Sequence, residues 1–486
     1  MHIIVLILIM VAFGVFLVYP LLHDHIAPAE DRFIKKKPKE ALSHSKIITA
    51  MAKLGHELFE GVCYGFIMNW AVEIALENEG SFYLKLQLLR HYQDTLCKVL
   101  KNLSHKRRLN DDEQILNSLP ELFRKIAVAQ NPTNHQSLFG KWVWQPDVAD
   151  ILKAISPAES GIRHIFYKTH SFSTREEATH YFNLLKKIDL DSKVAVIISS
   201  GNHSMGFRRV GDMWQFININ NLFAQGDSTP YFEFNTQQLV NELYRVCTHS
   251  PLSRRLTVSI DFIAAENHPR LAKYLSNVFP IFPIEPKISS KEKFSLFALA
   301  ALQGDLTTVF GCLKSGLSIF SHHEMEANSP ILIAICQGRR EVVNSMIAAA
   351  PHRINYRRKK DLTTLLHLAC SFSSSEIISD LLKIKGIKVD MRDSSGRTPL
   401  MMACTSKFLK EDPEPFKLLL ERGASLLVKD DNGLSAFDYA REYEHDLALE
   451  LFTKNITQRT WSRLDVNHLD PSVKPRDVGM GVANYY

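Results

Sequence analysis

Cys63 lies in the stretch Gly61-Val62-Cys63-Tyr64-Gly65, directly ahead of a run whose apolar residues Phe66, Ile67, Trp70, Ile74 and Leu76 carry a helical period. The run extends from Tyr64 to Glu79, and Gly80 is its natural stop. Cys63 is therefore expected at a helix N-terminus, where unpaired backbone N–H groups and the positive end of the helix dipole favour thiolate over thiol. A thiolate is a nucleophile, and nucleophilic catalysis by cysteine needs a base and a group that orients the base. His203 and Asn218 are the candidates. Lys193 to Ile198 reads as a buried strand, Gly201-Asn202 as a turn, His203 to Val210 as a second strand and Gly211-Asp212 as a two-residue hairpin loop. Met213 to Asn218 or Asn220 is the return strand. With Val210 facing Met213, His203 falls opposite Asn220 and diagonal to Asn218 at the hairpin's open end, within side-chain reach. The carboxamide can then hold the imidazole in one tautomer and leave its other nitrogen for a thiol.

The remaining elements complete an α+β pattern. Ser81 to Pro132 is helical in period, Trp142-Val143-Trp144 and Ile162 to Tyr167 are strand-like, and Glu176 to Ile188 is a helix with Thr174 as N-cap. Phe232 to Cys247 and Pro269 to Val278 read as closing helices, and Pro280, Pro283 and Pro286 mark a boundary. The motifs Gly61-Val62-Cys63-Tyr64-Gly65, Gly201-Asn202-His203 and Phe216-Ile217-Asn218-Ile219-Asn220 resemble those of papain-like cysteine proteases of the secreted bacterial kind. The resemblance covers residues 46–285 and implies Cys63 as nucleophile, His203 as base and Asn218 as orienter. Two positions depart from that family. Asn218 stands where the bacterial enzymes carry Asp, although papain itself uses Asn. Glu57 stands six residues before the cysteine, where the family places a Gln that donates to the oxyanion. A carboxylate cannot donate, and His56 beside it is the substitute considered.

The second half repeats. Segments beginning at Ser295, Ser329, Thr364, Thr398 and Ser435 recur at spacings of 34, 35, 34 and 37 residues, each with a pattern like Thr398-Pro399-Leu400-Met401-Met402-Ala403. This is similar to the ankyrin period and signature. Gly396 and Gly433 fall where that family's β-turn places glycine, and Arg422-Gly423-Ala424 matches the end of its second helix. The resemblance implies an all-α ankyrin solenoid over 286–455, whose concave face and turn tips bind protein. His367, at the signature histidine position, is expected to hold a turn.

Residues 1–22 contain the apolar run Ile3 to Tyr19, long enough to span a hydrocarbon core, and are expected to form an N-terminal hydrophobic helix. It reads as an anchor, with a cleaved signal or a start placed too far upstream as alternatives. Residues 23–45 are a polar linker, and 456–486 a flexible tail. Seven cysteines without regular spacing or a CxxC argue against a disulfide framework, and most sit among apolar neighbours, as at Cys247, Cys336 and Cys370. The net charge of +6 is spread over short clusters such as Arg357-Arg358-Lys359-Lys360 without an aromatic platform, which disfavours nucleic acid as a partner. The pairs His23/His25 and His322/His323 lack a third ligand, so neither a metal nor a cofactor is expected.

The pairing of modules resembles ankyrin-bearing effectors, of the AnkH type, that intracellular bacteria such as Legionella inject into host cells. It implies a monomer secreted into a host cell, membrane association through residues 3–19, and a host protein held by the repeats. The Cys63–His203–Asn218 hydrolase or acyltransferase would act on that protein. The alternative is an inactive protease-like scaffold whose ankyrin array binds host proteins.

Overall fold

A computed structural model of the protein describes residues 42–187, 193–200, 203–223, 229–248, 255–265, 269–278, 296–320, 329–373 and 375–463. The apolar run 3–19, nearly all of the linker, Gly201-Asn202, the prolines at 280, 283 and 286, the paired histidines at 23/25 and 322/323 and the tail beyond 463 lie outside the described residues. Among the described residues no helix is long and apolar enough to cross a membrane. The chain divides into two compact units, the second taking in residues from Ala300 onward.

The first unit begins with four helices that matter for the site: α1 (His44–Lys53), α2 (Cys63–Ala75), α3 (Glu79–Tyr92) and α4 (Leu119–Gln130). Strand β1 (Ile162–Phe172) and helix α5 (Arg175–Lys187) follow, then β2 (Ala195–Ser200), β3 (His203–Val210), β4 (Met213–Ile217), β5 (Phe232–Phe234), α6 (Thr236–Cys247) and β6 (Leu256–Ala265). The strands form one six-stranded sheet in the order β1-β6-β2-β3-β4-β5, antiparallel throughout. The sheet is covered on both faces. Ala195, Ile197, Ile217 and Ile263 pack with α1 to α4, whereas Val196, Ile198, Phe207, Trp214 and Phe216 pack with Phe182 of α5 and Leu239 and Leu243 of α6. A strand buried on both faces needs no polar alternation, which is why Val194 to Ile198 reads as an unbroken apolar run.

The hairpin forms as expected, with Val210 paired to Met213 and Gly211 at φ +56. Thr174 also caps α5, accepting from the Glu177 N–H at 3.2 Å. Three expectations fail. Trp142-Val143-Trp144 is not a strand; Val143 plugs the helical core from a turn in which the Trp144 N–H donates to Asp147 at 2.7 Å. Phe232 to Phe234 is an edge strand rather than the start of a helix, because Asn235 caps α6 in a reciprocal box with Gln238. Helix α2 ends at Ala75, since Glu77 adopts a left-handed φ of +55, and Gly80 sits inside α3 rather than ending α2. Strand β6, second from one edge and paired on both sides, is absent from the sequence reading.

From Leu296, just ahead of the Ala300 boundary, the described chain is a row of paired helices: Leu296–Gln303 with Leu306–Lys314, Pro330–Cys336 with Arg340–Ala349, Leu365–Phe372 with Ser375–Lys383, Pro399–Cys404 with Glu414–Glu421, and Ala436–Glu442 with Asp446–Arg463. Thr364, Thr398 and Ser435 each cap a first helix in a reciprocal box. The turns ahead of the last two pairs are built alike. Asp393 accepts from the N–H groups of Ser395 and Arg397, and Asp430 from those of Asn432 and Leu434. Gly396 and Gly433 supply the positive φ, +76 and +80, that these turns require. Successive turns join through Ser394 N–H to Asp361 O (2.8 Å) and Asp431 N–H to Ser395 O (3.1 Å).

His367 locks its repeat to the next. Its Nδ1 accepts from the Thr364 N–H at 3.2 Å, so the other ring nitrogen carries the proton and donates to Arg397 O at 3.0 Å. Burial is the main reason its pKa is lowered, so the neutral ring belongs to the folded state. The linkage sign follows: a histidine with a folded pKa below its unfolded value of about 6.5 stabilises above that value, and the contribution is lost as pH falls through it. Urea midpoints of the repeat transition in the full chain should therefore fall between neutral and mildly acidic pH, and His367→Asn should flatten that dependence. An equal pH slope in the variant would contradict the assignment.

Candidate active site

Helix α2 is buried at every position from Tyr64 to Ala75 except Glu73, so it runs through the unit as a core helix, not as an amphipathic surface helix. Two glycines seat it. A Cβ on Gly65 would lie 2.2 Å from the Ile126 carbonyl oxygen of α4, and the Gly65 N–H donates to Gln130 Oε1 at 3.0 Å. A Cβ on Gly206 of β3 would lie 2.4 Å from the Trp70 ring. The second contact fixes the register between helix and sheet. From Trp70 back to Cys63 is about 10 Å of helix, and from Gly206 back to His203 is about 10 Å of strand. The nucleophile candidate and the base candidate thus arrive together at one end of the sheet.

Side-chain geometry agrees with that register. The backbone N–H of Ser204, next to His203, is directed at the Cys63 sulfur, as are those of Tyr64 and Cys63 itself. His203 Nε2 lies 3.0 Å from Asn218 Oδ1, the diagonal neighbour. Asn218 Oδ1 also accepts from the Asn220 N–H at 3.0 Å, which identifies it as the oxygen. Nε2 therefore carries the imidazole proton and Nδ1 is left as the basic nitrogen. Asn218 is almost fully buried, whereas Cys63 and His203 are partly exposed. All seven cysteines are free thiols; Cys312, Cys370 and Cys404 are buried, and Cys97 is exposed.

The electrostatics correct one expectation. Burial pushes the Cys63 thiol up, and the three N–H groups pull it only part of the way back. Burial also lowers His203, opposed by its hydrogen bond to Asn218. Both shifts favour the neutral thiol and neutral imidazole over a resting ion pair, because desolvation outweighs the helix terminus here. A neutral thiol must lose its proton before or during any attack by sulfur. The alkylation rate of Cys63 by iodoacetamide should keep climbing with pH beyond the usual thiol range of about 8.5, without a plateau near neutrality. A plateau at or below neutral pH would mean a preformed ion pair and contradict this reading.

Glu57 is exposed, and its two oxygens accept from the side-chain amides of Asn131 (2.8 Å) and Asn134 (2.6 Å). Burial lowers the pKa of the neighbouring His56 and His135, and the Glu57 carboxylate opposes this in both. The sequence reading missed His44. It was assigned to the linker, yet it is the first residue of α1, with Ser43 as N-cap. Its Nε2 accepts from the Val62 N–H at 2.8 Å, immediately before Cys63. Burial and then the nearby His203 lower its pKa. A polar residue behind a serine N-cap gives no sequence cue to such a contact. Among the described residues, no group of three or more His, Cys, Asp or Glu side chains could hold a metal ion.

Comparison with known proteins bears on the second unit. A family profile for ankyrin repeats matches residues 366–460 in three copies. A BTB/POZ domain and ankyrin repeat-containing protein of Oryza sativa subsp. japonica is 26% identical over 111 residues, which are 23% of this chain and 18% of the relative. An ADP-ribosylation factor GTPase-activating protein of Arabidopsis thaliana is 38% identical over 92 residues, 18% of this chain and 11% of the relative. The chain thus spans less than a fifth of either relative's length. Ankyrin repeats generally mediate protein–protein binding. With five helix pairs among the described residues, matching Asp393 and Asp430 turns before the last two and a profile match over the later ones, the C-terminal part of this chain is made of ankyrin repeats.

Proposed function

We propose that the protein binds another protein through its ankyrin repeats and acts on it by acyl transfer at Cys63. The meeting of Cys63, His203 and Asn218 at one end of the sheet carries this reading. A cysteine heading a buried helix, an imidazole at the head of a strand and a carboxamide after the next strand also agree with a papain-like domain. In the step envisaged, His203 Nδ1 takes the thiol proton as Sγ bonds to an amide or thioester carbonyl. The tetrahedral adduct then collapses, the leaving group departs with that proton, and water or an amine resolves the thioester. The bound protein belongs to a host cell, as with injected ankyrin effectors, and seven free thiols suit a reducing compartment. The raised Cys63 thiol and the non-donating Glu57 favour the second reading, a scaffold that binds without turnover.

p-Nitrophenyl acetate separates the two. Acyl transfer predicts a stoichiometric burst of p-nitrophenolate and one acetyl group on Cys63, both lost in Cys63→Ala. A folded wild-type protein that gives no burst at any pH leaves binding alone.

A further inference from the structure

We propose that the Nδ1–H of His44 is an oxyanion donor of this site, taking the place that Glu57 cannot fill. The proposal rests on the acyl-transfer reading. When sulfur adds to a carbonyl, the C=O π electrons move onto oxygen, and that charge needs hydrogen-bond donors already in position. The Cys63 N–H, which as the first of its helix has no carbonyl acceptor there and is directed at its own sulfur, is next to the atom that adds and is one such donor. Glu57 cannot be the second, since both its oxygens are acceptors and both are occupied by the amides of Asn131 and Asn134.

His44 lies beside Cys63 with a donor to spare. Its Nε2 accepts from the Val62 N–H at 2.8 Å, so the single proton of the neutral ring is on Nδ1. Among the described residues Nδ1 has no hydrogen-bond partner. The ring lies against the loop that delivers the nucleophile, its Cε1 3.5 Å from where a Gly61 Cβ would be. It is also near enough to His203 for a charge on one ring to disfavour a charge on the other. The ring is thus fixed to the residue before the nucleophile and keeps a donor in hand. Burial and the nearby His203 lower its pKa and favour the neutral ring, and with the resting sulfur a neutral thiol the anion this donor meets is the oxyanion that develops on addition. His56, the other imidazole in this region, has no such tie to the loop preceding Cys63.

The test compares two reactions of the same sulfur in the full chain. Acetylation by p-nitrophenyl acetate passes through an oxyanion, whereas alkylation by iodoacetamide does not. His44→Ala should slow the burst about 10²-fold while alkylation of Cys63 changes no more than about 2-fold. His44→Gln, which restores an amide donor, should recover most of the burst, and His56→Ala should leave it unchanged. A thermal melt identifies any variant that has lost its fold; if His44→Ala has, His44→Phe, which keeps the ring's bulk without a donor, takes its place and should show the same selective loss of the burst against His44→Gln. A wild-type burst retained in His44→Ala, or burst and alkylation falling in equal proportion, overturns the proposal alone. A wild type without any burst overturns the acyl-transfer reading and this proposal with it.

Discussion

Replacing Gly65 by alanine should destabilise the first unit by about 3 kcal/mol or more, the upper end of what overpacking costs. The added Cβ would sit 2.2 Å from the Ile126 carbonyl oxygen and 3.1 Å from both the backbone N and the Cβ of Gln130. These are mostly backbone atoms of α4, so no rotamer change relieves the clash, and α2 must move. Moving it would break the Gly65 N–H to Gln130 bond and disturb the chain of polar contacts beyond it. In that chain the Gln145 side chain donates to Gln130 O at 2.6 Å and the Tyr64 hydroxyl donates to Gln145 O at 2.5 Å. Gly80→Ala is the matched control. It lies in helix α3 with nothing within 4 Å of its added Cβ, so it should be neutral or stabilise by up to about 1 kcal/mol. Urea unfolding followed by far-UV circular dichroism gives both numbers. Equal midpoints for the two variants would mean that α2 is not seated as described.

The second large effect concerns His203, the base of the proposed reaction. His203→Ala should lower the rate of Cys63 acetylation by about 10²–10⁴-fold, the usual contribution of a positioned general base. With the thiol held up by burial, little thiolate exists near neutral pH to bypass the base. Asn218→Ala should also slow the reaction, since Asn218 is what assigns the Nε2 proton and holds the ring, but the imidazole itself remains. The ordering expected from burst kinetics is wild type, then Asn218→Ala, then His203→Ala. If His203→Ala acetylates as fast as wild type, His203 is not the base.

Local pattern carried much of this architecture. The hairpin was legible because Gly211-Asp212 is a strong two-residue turn between strands, and its count placed His203 beside Asn218 before any coordinates. The ankyrin array was legible because its period and turn residues recur. What was not legible depended on tertiary surroundings. Helix α2 looked amphipathic because the sequence does not show that α4 lies on its far side, and Gly80 looked like a stop because glycine is ambiguous without knowing that Glu77 turns the chain. Strand β6 carries Ser259 and Asp261 among apolar residues, which masks a buried strand; Asp261 is paired to His164 at 2.9 Å. The thiol's shift depended on how much of α2 is covered, which a helix-terminus rule does not contain. His44 reaches the site from a segment whose composition reads as linker.

Residue-resolved alkylation kinetics test the central claim most directly. Wild-type and His203→Ala proteins are treated with iodoacetamide at several pH values, and each of the seven cysteines is followed by peptide mass. The account predicts that Cys63 alkylation slows at least about tenfold in His203→Ala near neutral pH. Exposed Cys97 should react at the same rate in both proteins. Identical Cys63 rates in the two proteins, with Cys97 unchanged, would contradict it.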